Sequence, residues 1–470
     1  MRVVLVLLIV AVAAVGVRAN PSVESTAPNG RHGGVENVGG GSCFLRCNDI
    51  CLPSHLYMLS DTPNEMFVQP MLKRWRPYDD FVRFDMDRKY GSFSRRLGHV
   101  ATIDKPQDGA VVTVDLVNGD DFKIVKSFRT TLRVGRKGVG DSDVYAQIIG
   151  DSYTHGQFYR HALIASGAVP KFHLVGLLDS GGGQFNEGRG GWTLQSYFTV
   201  PTQSNRSYHG FMQPKNGRYW GSRGFWVMAW RCHRKTQPKG FEPTYSCSRF
   251  DACVSRFDEK TGILLNPQPG DIQYDDAAKS FVRYERECDG RDEARPSHGA
   301  RPSHVEWKPV DASTLEWGFD YGKYLEMWRI TPPQFLFVFL GLNDFINNLD
   351  ADYAEWGRRI ETVKESYLKA CPGGKFVIAI PCSTCGSIDN DSGSFTPRQN
   401  AAMWRFRDWL IRTFDNREKD GFYLLDAGIT VDNDNGYTKL PSGVQTGNPH
   451  PYRSYPAMGV PFAAFIQYHR

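Results

Sequence analysis

Gly150-Asp151-Ser152-Tyr153-Thr154-His155-Gly156 is the stretch on which the reading of this chain turns. The apolar run Val144, Tyr145, Ala146, Gln147, Ile148, Ile149 comes directly before it, and a helix-like segment over 158–165 follows. The pattern predicts a strand that ends, a tight turn eased by Gly150 and Gly156, and a serine placed at that turn. In a parallel α/β sheet, ligands bind outside the carboxyl ends of the strands. A helix N-terminus there offers free N–H groups to developing negative charge. Gly-Asp-Ser alone is a common surface turn, so the weight falls on partners elsewhere in the chain.

Beyond the turn, a second strand is expected over 172–178, followed by the glycine-dense stretch 181–191, which contains Glu187-Gly188-Arg189-Gly190-Gly191 and leads into Trp192-Thr193. On composition such a run reads as a flexible loop; its alternative use is to bring bare backbone N–H groups close to a reacting centre. The segment from about 198 to 307 shows no strand–helix period. It is crowded with Arg, Lys, Gly and aromatics, Tyr219, Trp220, Phe225, Trp226 and Trp230 among them, and carries Cys232, Cys247, Cys253 and Cys288. It reads as a long insertion stapled by disulfides, its aromatics chiefly packing the insertion and some able to form a sugar-stacking platform. Alternation then resumes: a buried strand over 334–340 leading into Gly341-Leu342-Asn343-Asp344, a helix with Tyr353, Trp356, Ile360, Val363 and Tyr367 on one face, a strand over 375–380, a helix through Ala402, Phe406, Trp409, Leu410 and Thr413, a strand over 422–425, and a last helix over 455–467. Strand and helix in this order describe a parallel sheet with helices on both faces.

Before the serine turn the pattern is different. Val112-Thr113-Val114-Asp115-Leu116 alternates with period two, Asn118-Gly119 is a hairpin signal, and short runs at 122–125 and 132–134 follow. These predict a small antiparallel β-sandwich over 43–140 as a separate module packed against the one that carries the serine turn. Residues 20–42, rich in Gly, Ser, Pro and Asn, read as a flexible linker. Residues 1–19, with Arg2, an apolar run and small residues at Val17 and Ala19, read as a secretory signal peptide. That run is short for a transmembrane span of about 20 residues, and no later segment qualifies, so no membrane span is expected.

The chain of 470 residues has a net charge of +5 without a long basic block, so no nucleic-acid footprint is evident, while the basic insertion favours an anionic partner. Ten cysteines in an exported chain favour disulfides, including a local Cys382–Cys385 bridge. Cys43, Cys47, Cys51 and His55 recur at every fourth position, a spacing that would align four ligands on a helix, but Pro53 and the oxidising context argue against a metal.

A serine nucleophile needs a base, and histidine is the usual one near neutral pH. Of twelve histidines, His450 stands out: Asn448-Pro449-His450-Pro451 falls after the last strand and before the last helix, on the same edge as Ser152, with His155 lining the pocket. Ser152, the glycine-rich segment, Asn343 and His450 together, in that order, resemble the SGNH (GDSL) hydrolase family. Gly150-Asp151-Ser152 matches its nucleophile block, Gly191 before Trp192-Thr193 the oxyanion glycine, Gly341-Leu342-Asn343-Asp344 the asparagine block and His450-Pro451 the histidine block.

The resemblance covers 141–470, interrupted by the insertion, and implies a three-layer α/β/α sandwich in which Ser152 is the nucleophile and His450 the base. The oxyanion would be held by the Ser152 and Gly191 N–H groups and the Asn343 amide, without metal or organic cofactor. It further implies a secreted, carbohydrate-esterase-like enzyme that removes acetyl or similar small acyl groups from a polysaccharide. A lipid esterase or thioesterase of the same fold, or an inactive carbohydrate-binding homologue, are the competing readings. The family places an aspartate three residues before the histidine, where this chain has Gly447; Asp432, Asp434, Asn448 or a backbone carbonyl are the candidates to orient His450 instead.

Overall fold

The computed structural model describes residues 48–73, 80–86, 93–96, 100–155, 163–164, 166–202, 207–234, 250–286, 305–382, 397–433, 435–438 and 450–470. Leu45–Arg470 form one compact unit, and Met1–Phe44, the other, lie outside the described residues, as do the expected signal peptide and linker.

The protein is of the α/β class. Its centre is a seven-stranded sheet built around the serine strand Val144–Gly150, whose apolar run is buried almost throughout, as a strand covered on both faces requires. On one side it pairs with Phe335–Phe339, which pairs with Lys375–Ile380, which pairs with Phe422–Asp426, all parallel. On its other side Phe172–Leu174 pairs with its first half and Gln184–Gly188 with its end, Gly188 opposite Gly150, again both parallel.

The glycine-dense stretch is therefore not a flexible loop. Leu178–Gly181 and Gln184–Gly188 form an antiparallel hairpin, turned by Gly181, Gly182 and Gly183 at φ of +78°, +66° and +75°. Composition misled here because clustered glycines serve a tight left-handed turn as well as a mobile segment.

Helices cover both faces. Ala354–Ala370 buries Trp356, Ile360, Val363 and Tyr367, spaced by three or four residues, and sets Tyr367 on Phe376 with ring centroids 6.4 Å apart. Pro397–Phe414 lies on that same face, with Phe414 4.9 Å from Phe422. The closing helix Tyr455–His469 packs Phe462 and Phe465 on Phe337, at 5.0 and 5.8 Å, from the opposite face.

The N-terminal module comprises a four-stranded sheet (His55–Leu59, Ile124–Gly135, Val111–Asn118, Asp80–Met86) and a three-stranded one (Asn64–Phe67, Val100–Ile103, Phe93–Arg96). They share a core of Leu56, Met58, Met66, Val112, Val114 and Leu132. One feature differs from expectation. His55–Leu59 runs parallel to Ile124–Gly135, so the module is not purely antiparallel. The module packs on the larger sheet's helices: Ile429 enters its core, Ser54 donates two hydrogen bonds to Asp415, and the Trp404 indole N–H donates to the Met71 carbonyl at 2.9 Å.

The insertion is a small folded region. Strands Arg218–Ser222, Asp271–Asp275, Ser280–Arg286 and Val305–Val310 form one sheet beside the helix Arg223–His233. Tyr219, Trp220, Phe225 and Trp226 are buried, Trp226 stacking on Phe257 at 3.8 Å, so these four rings are core and not a platform open to sugar. Cys232 is disulfide-bonded, but Cys253 is a buried free thiol and staples nothing. Cys382 is likewise a buried free thiol, which overturns the expected Cys382–Cys385 bridge; Cys385 lies outside the described residues. Among the described residues no helix is long and apolar enough to cross a membrane.

Candidate active site

Every expected site residue within the described part is carried at or near the carboxyl edge of the central sheet. Gly150 ends the serine strand, and a Cβ on it would fall 1.9 Å from the Thr154 Oγ1, so only glycine lets the chain fold back this closely. The turn Ser152–His155 follows, capped by Asp151, whose side chain accepts the Tyr153 N–H at 2.9 Å. Asp151, Tyr153 and Thr154 are buried while Ser152 is half-exposed, which leaves its hydroxyl within reach of an incoming molecule. His155 turns its Nδ1 toward the Gly188 carbonyl at 3.3 Å.

Gly191, exposed and at φ +75°, has no atom within 4 Å of where a Cβ would sit, so its backbone edge is open. Its position depends on the residues just before it. Arg189 N–H donates to the Gly150 carbonyl at 3.0 Å, tying the two strand ends, and Tyr197 Oη donates to the same carbonyl at 2.7 Å.

Asn343 arrives after Gly341, whose left-handed φ of +119° turns the chain out of its strand. Its Nδ2 donates to the Trp192 carbonyl at 3.0 Å and makes a longer contact, 3.4 Å, with Asp151 Oδ2. Asp344 accepts the Leu194 N–H at 3.0 Å. The serine, glycine and asparagine segments thus meet through a single amide, although 192 residues separate Asn343 from Asp151.

His450 is half-buried at the entry to the closing helix. Its Nδ1 shares a hydrogen bond of 2.5 Å with Tyr455 Oη, and its ring stands edge-on to Tyr153, the residue after Ser152, with centroids 5.5 Å apart. Among the described residues no hydrogen bond joins Ser152 Oγ to His450. Of the candidates to orient His450, Asp432 accepts from the Asn435 N–H and Nδ2 at 2.9 and 3.2 Å and so holds its own loop; Asp434 and Asn448 lie outside the described residues.

Burial sets the electrostatics. It lowers the His450 pKa to about 4, so the imidazole is neutral, and able to accept a proton, at ordinary pH. It raises Asp151 to about 7, with the nearby Asp344 charge adding to the rise, and Asp344 itself to about 6. Burial is what disfavours the ionised form of Asp344, whose Oδ2 has no hydrogen-bond partner among the described residues. Because the folded pKa of Asp151 lies above its unfolded value, its contribution to stability is present below pH ~4 and fades as pH rises toward 7.

Sequence reasoning quoted Glu187, Arg189 and Asp344 only as parts of their blocks and missed Tyr197 and Tyr455, so it gave none of these five the role it has here. Two opposite charges at i and i+2 around Gly188, at the end of a strand, were a usable signal, since extended chain turns such residues to one side where they can pair. Nothing local marks Tyr455. Among the described residues no group of three His, Cys, Asp or Glu side chains is placed to hold a metal ion. Cys51 precedes a strand that His55 opens, so their spacing is not helical; Cys43 and Cys47 lie outside the described residues. Compared with known proteins, the chain matches no family model and no curated protein.

Proposed function

We propose that the protein is a secreted serine esterase of the SGNH type that removes acetyl or similar small acyl groups from a polysaccharide. The observation that carries the reading is the Asn343 amide, bonded to the Trp192 carbonyl and touching Asp151, which draws three sequence-distant segments to one sheet edge. Support for the polymer comes from the leader-like N-terminus and the family resemblance; the buried aromatics of the insertion lend none. The basic insertion favours an anionic polymer.

In this mechanism Ser152 Oγ attacks the ester carbonyl as neutral His450 takes its proton. The oxyanion is met by the Ser152 and Gly191 N–H groups and by the Asn343 amide, whose longer bond to Asp151 is the one exchanged. Collapse expels the alcohol with the proton returned by His450, and a water activated by the same imidazole then releases the acid. No metal or organic cofactor takes part in these steps.

Acetate release from p-nitrophenyl acetate and from an acetylated polysaccharide tests the reading. Ser152→Ala is expected to lower turnover by about 10⁴-fold or more, leaving only binding and oxyanion contacts. Equal inactivity of wild type and variant on both substrates would reject the esterase.

The pH profile of kcat/KM is a second expected outcome. Activity falls on the acid side as His450 is protonated near pH 4, well below the usual histidine range. It falls on the alkaline side as Asp151 ionises near pH 7, when its carboxylate competes for the Asn343 amide and sets negative charge beside the oxyanion. Asp151→Asn is expected to remove the alkaline limb; a variant profile identical to wild type would show that Asp151 does not titrate there.

A further inference from the structure

We infer that Tyr455 is the positioning residue for His450, taking the place of the carboxylate that Gly447 cannot supply; this rests on the esterase reading above. The base of a serine hydrolase must present Nε2 unprotonated, so its Nδ1 must carry the proton and have an acceptor. A phenol oxygen can accept that bond while donating its own proton elsewhere.

Tyr455 Oη lies 2.5 Å from Nδ1, and the side chain carrying it is fully buried. Its backbone is equally constrained. Tyr455 opens the closing helix, its N–H donates to the Pro451 carbonyl at 3.0 Å, and Tyr452 N–H donates to the His450 carbonyl at 2.9 Å. The Tyr455 ring also stands edge-on to Tyr153 at 5.9 Å, and Tyr153 itself faces the imidazole. One buried ring therefore fixes the base and abuts the residue next to the nucleophile. Asp432, the described acidic candidate, accepts from the Asn435 N–H and Nδ2. A neutral acceptor leaves the developing imidazolium less stabilised than a carboxylate would, so what Tyr455 supplies is chiefly the tautomer and the ring orientation.

The direct test is the imidazole ¹⁵N spectrum of the full chain at pH 7, with His450 assigned by its loss in His450→Gln. The proton is expected on Nδ1 in wild type and redistributed in Tyr455→Phe; a wild-type proton on Nε2, or an unchanged tautomer in a folded Tyr455→Phe, overturns the proposal. In kinetics, Tyr455→Phe is expected to lower kcat roughly 10- to 100-fold with KM little changed, the scale of a disturbed general base. Full activity in Tyr455→Phe alongside an inactive Ser152→Ala would reject the role of Tyr455 and leave the esterase standing. Inactivity of wild type would reject the esterase, and the tautomer would still decide where His450 is held. Should Tyr455→Phe not fold, the wild-type spectrum alone decides.

Discussion

Asn343→Ala is expected to lower kcat for ester hydrolysis about 10²–10³-fold while KM stays close to wild type, the usual consequence of removing one oxyanion donor. The expectation follows from where the amide sits. Nδ2 is anchored on the Trp192 carbonyl at 3.0 Å, and its contact to Asp151 is longer at 3.4 Å, so it keeps a donor that a tetrahedral oxyanion at Ser152 can claim. The ground-state ester makes weaker use of that donor, so binding changes little. Asn343 is half-exposed and makes few bonds, so the variant is expected to fold and to lose only about 1 kcal/mol of stability. Steady-state kinetics of the two proteins, with thermal unfolding as control, check it. A loss below about threefold would remove Asn343 from the oxyanion site, since a donor used in the transition state is worth far more.

Arg189→Met is expected to cost about 3–5 kcal/mol of stability, the scale for leaving one charge of a buried pair alone. Arg189 and Glu187 are both fully buried, and their Nη1 and Oε2 are 2.6 Å apart. Glu187 also accepts from Tyr324 Oη and the Leu177 N–H, each at 2.6 Å, while Arg189 Nη2 donates to the Tyr208 carbonyl at 2.6 Å. The Arg189 guanidinium lies over the Trp192 ring at 5.1 Å. One pair thus joins the hairpin, the helix Tyr321–Trp328 and the start of the insertion. Losing the arginine leaves the Glu187 carboxylate alone in a fully buried site. The double replacement Glu187→Leu with Arg189→Met is expected to cost less than the sum of the single changes, because neither charge is left alone. Urea unfolding of the three variants measures this, and a single-variant loss under about 1 kcal/mol would show that water reaches the pair. Esterase activity is expected to fall with Arg189→Met as well, since Trp192 N–H donates to the Arg189 carbonyl at 3.2 Å and Gly191 lies between them.

The parallel core was open to sequence reasoning because its strands and helices carry their own periods. The runs at 144–149, 334–340, 375–380 and 422–425 fall on the observed strands Val144–Gly150, Phe335–Phe339, Lys375–Ile380 and Phe422–Asp426. The face of Trp356, Ile360, Val363 and Tyr367 is the buried face of its helix. A fully buried strand needs a continuous apolar run, and a helix on a sheet needs an apolar stripe, so both patterns are written locally. The hairpin at 178–188 was hidden because its strands carry Asn186, Glu187 and Gly188, residues that no propensity assigns to a buried strand.

By itself the sequence determined the α/β class, the order of the sheet-forming segments, and Ser152, Asn343 and His450 as the residues to examine, since each follows a recognisable run in a turn-forming context. Only the tertiary structure decided what surrounds them: the buried Glu187–Arg189 pair beside Trp192, the Asn343 amide between Trp192 and Asp151, and Tyr455 against His450. The difference is one of range. Periodicity is a local property of the backbone, whereas a buried hydrogen bond or ion pair depends on which side chains the folded chain brings within about 3 Å, whatever their distance in sequence.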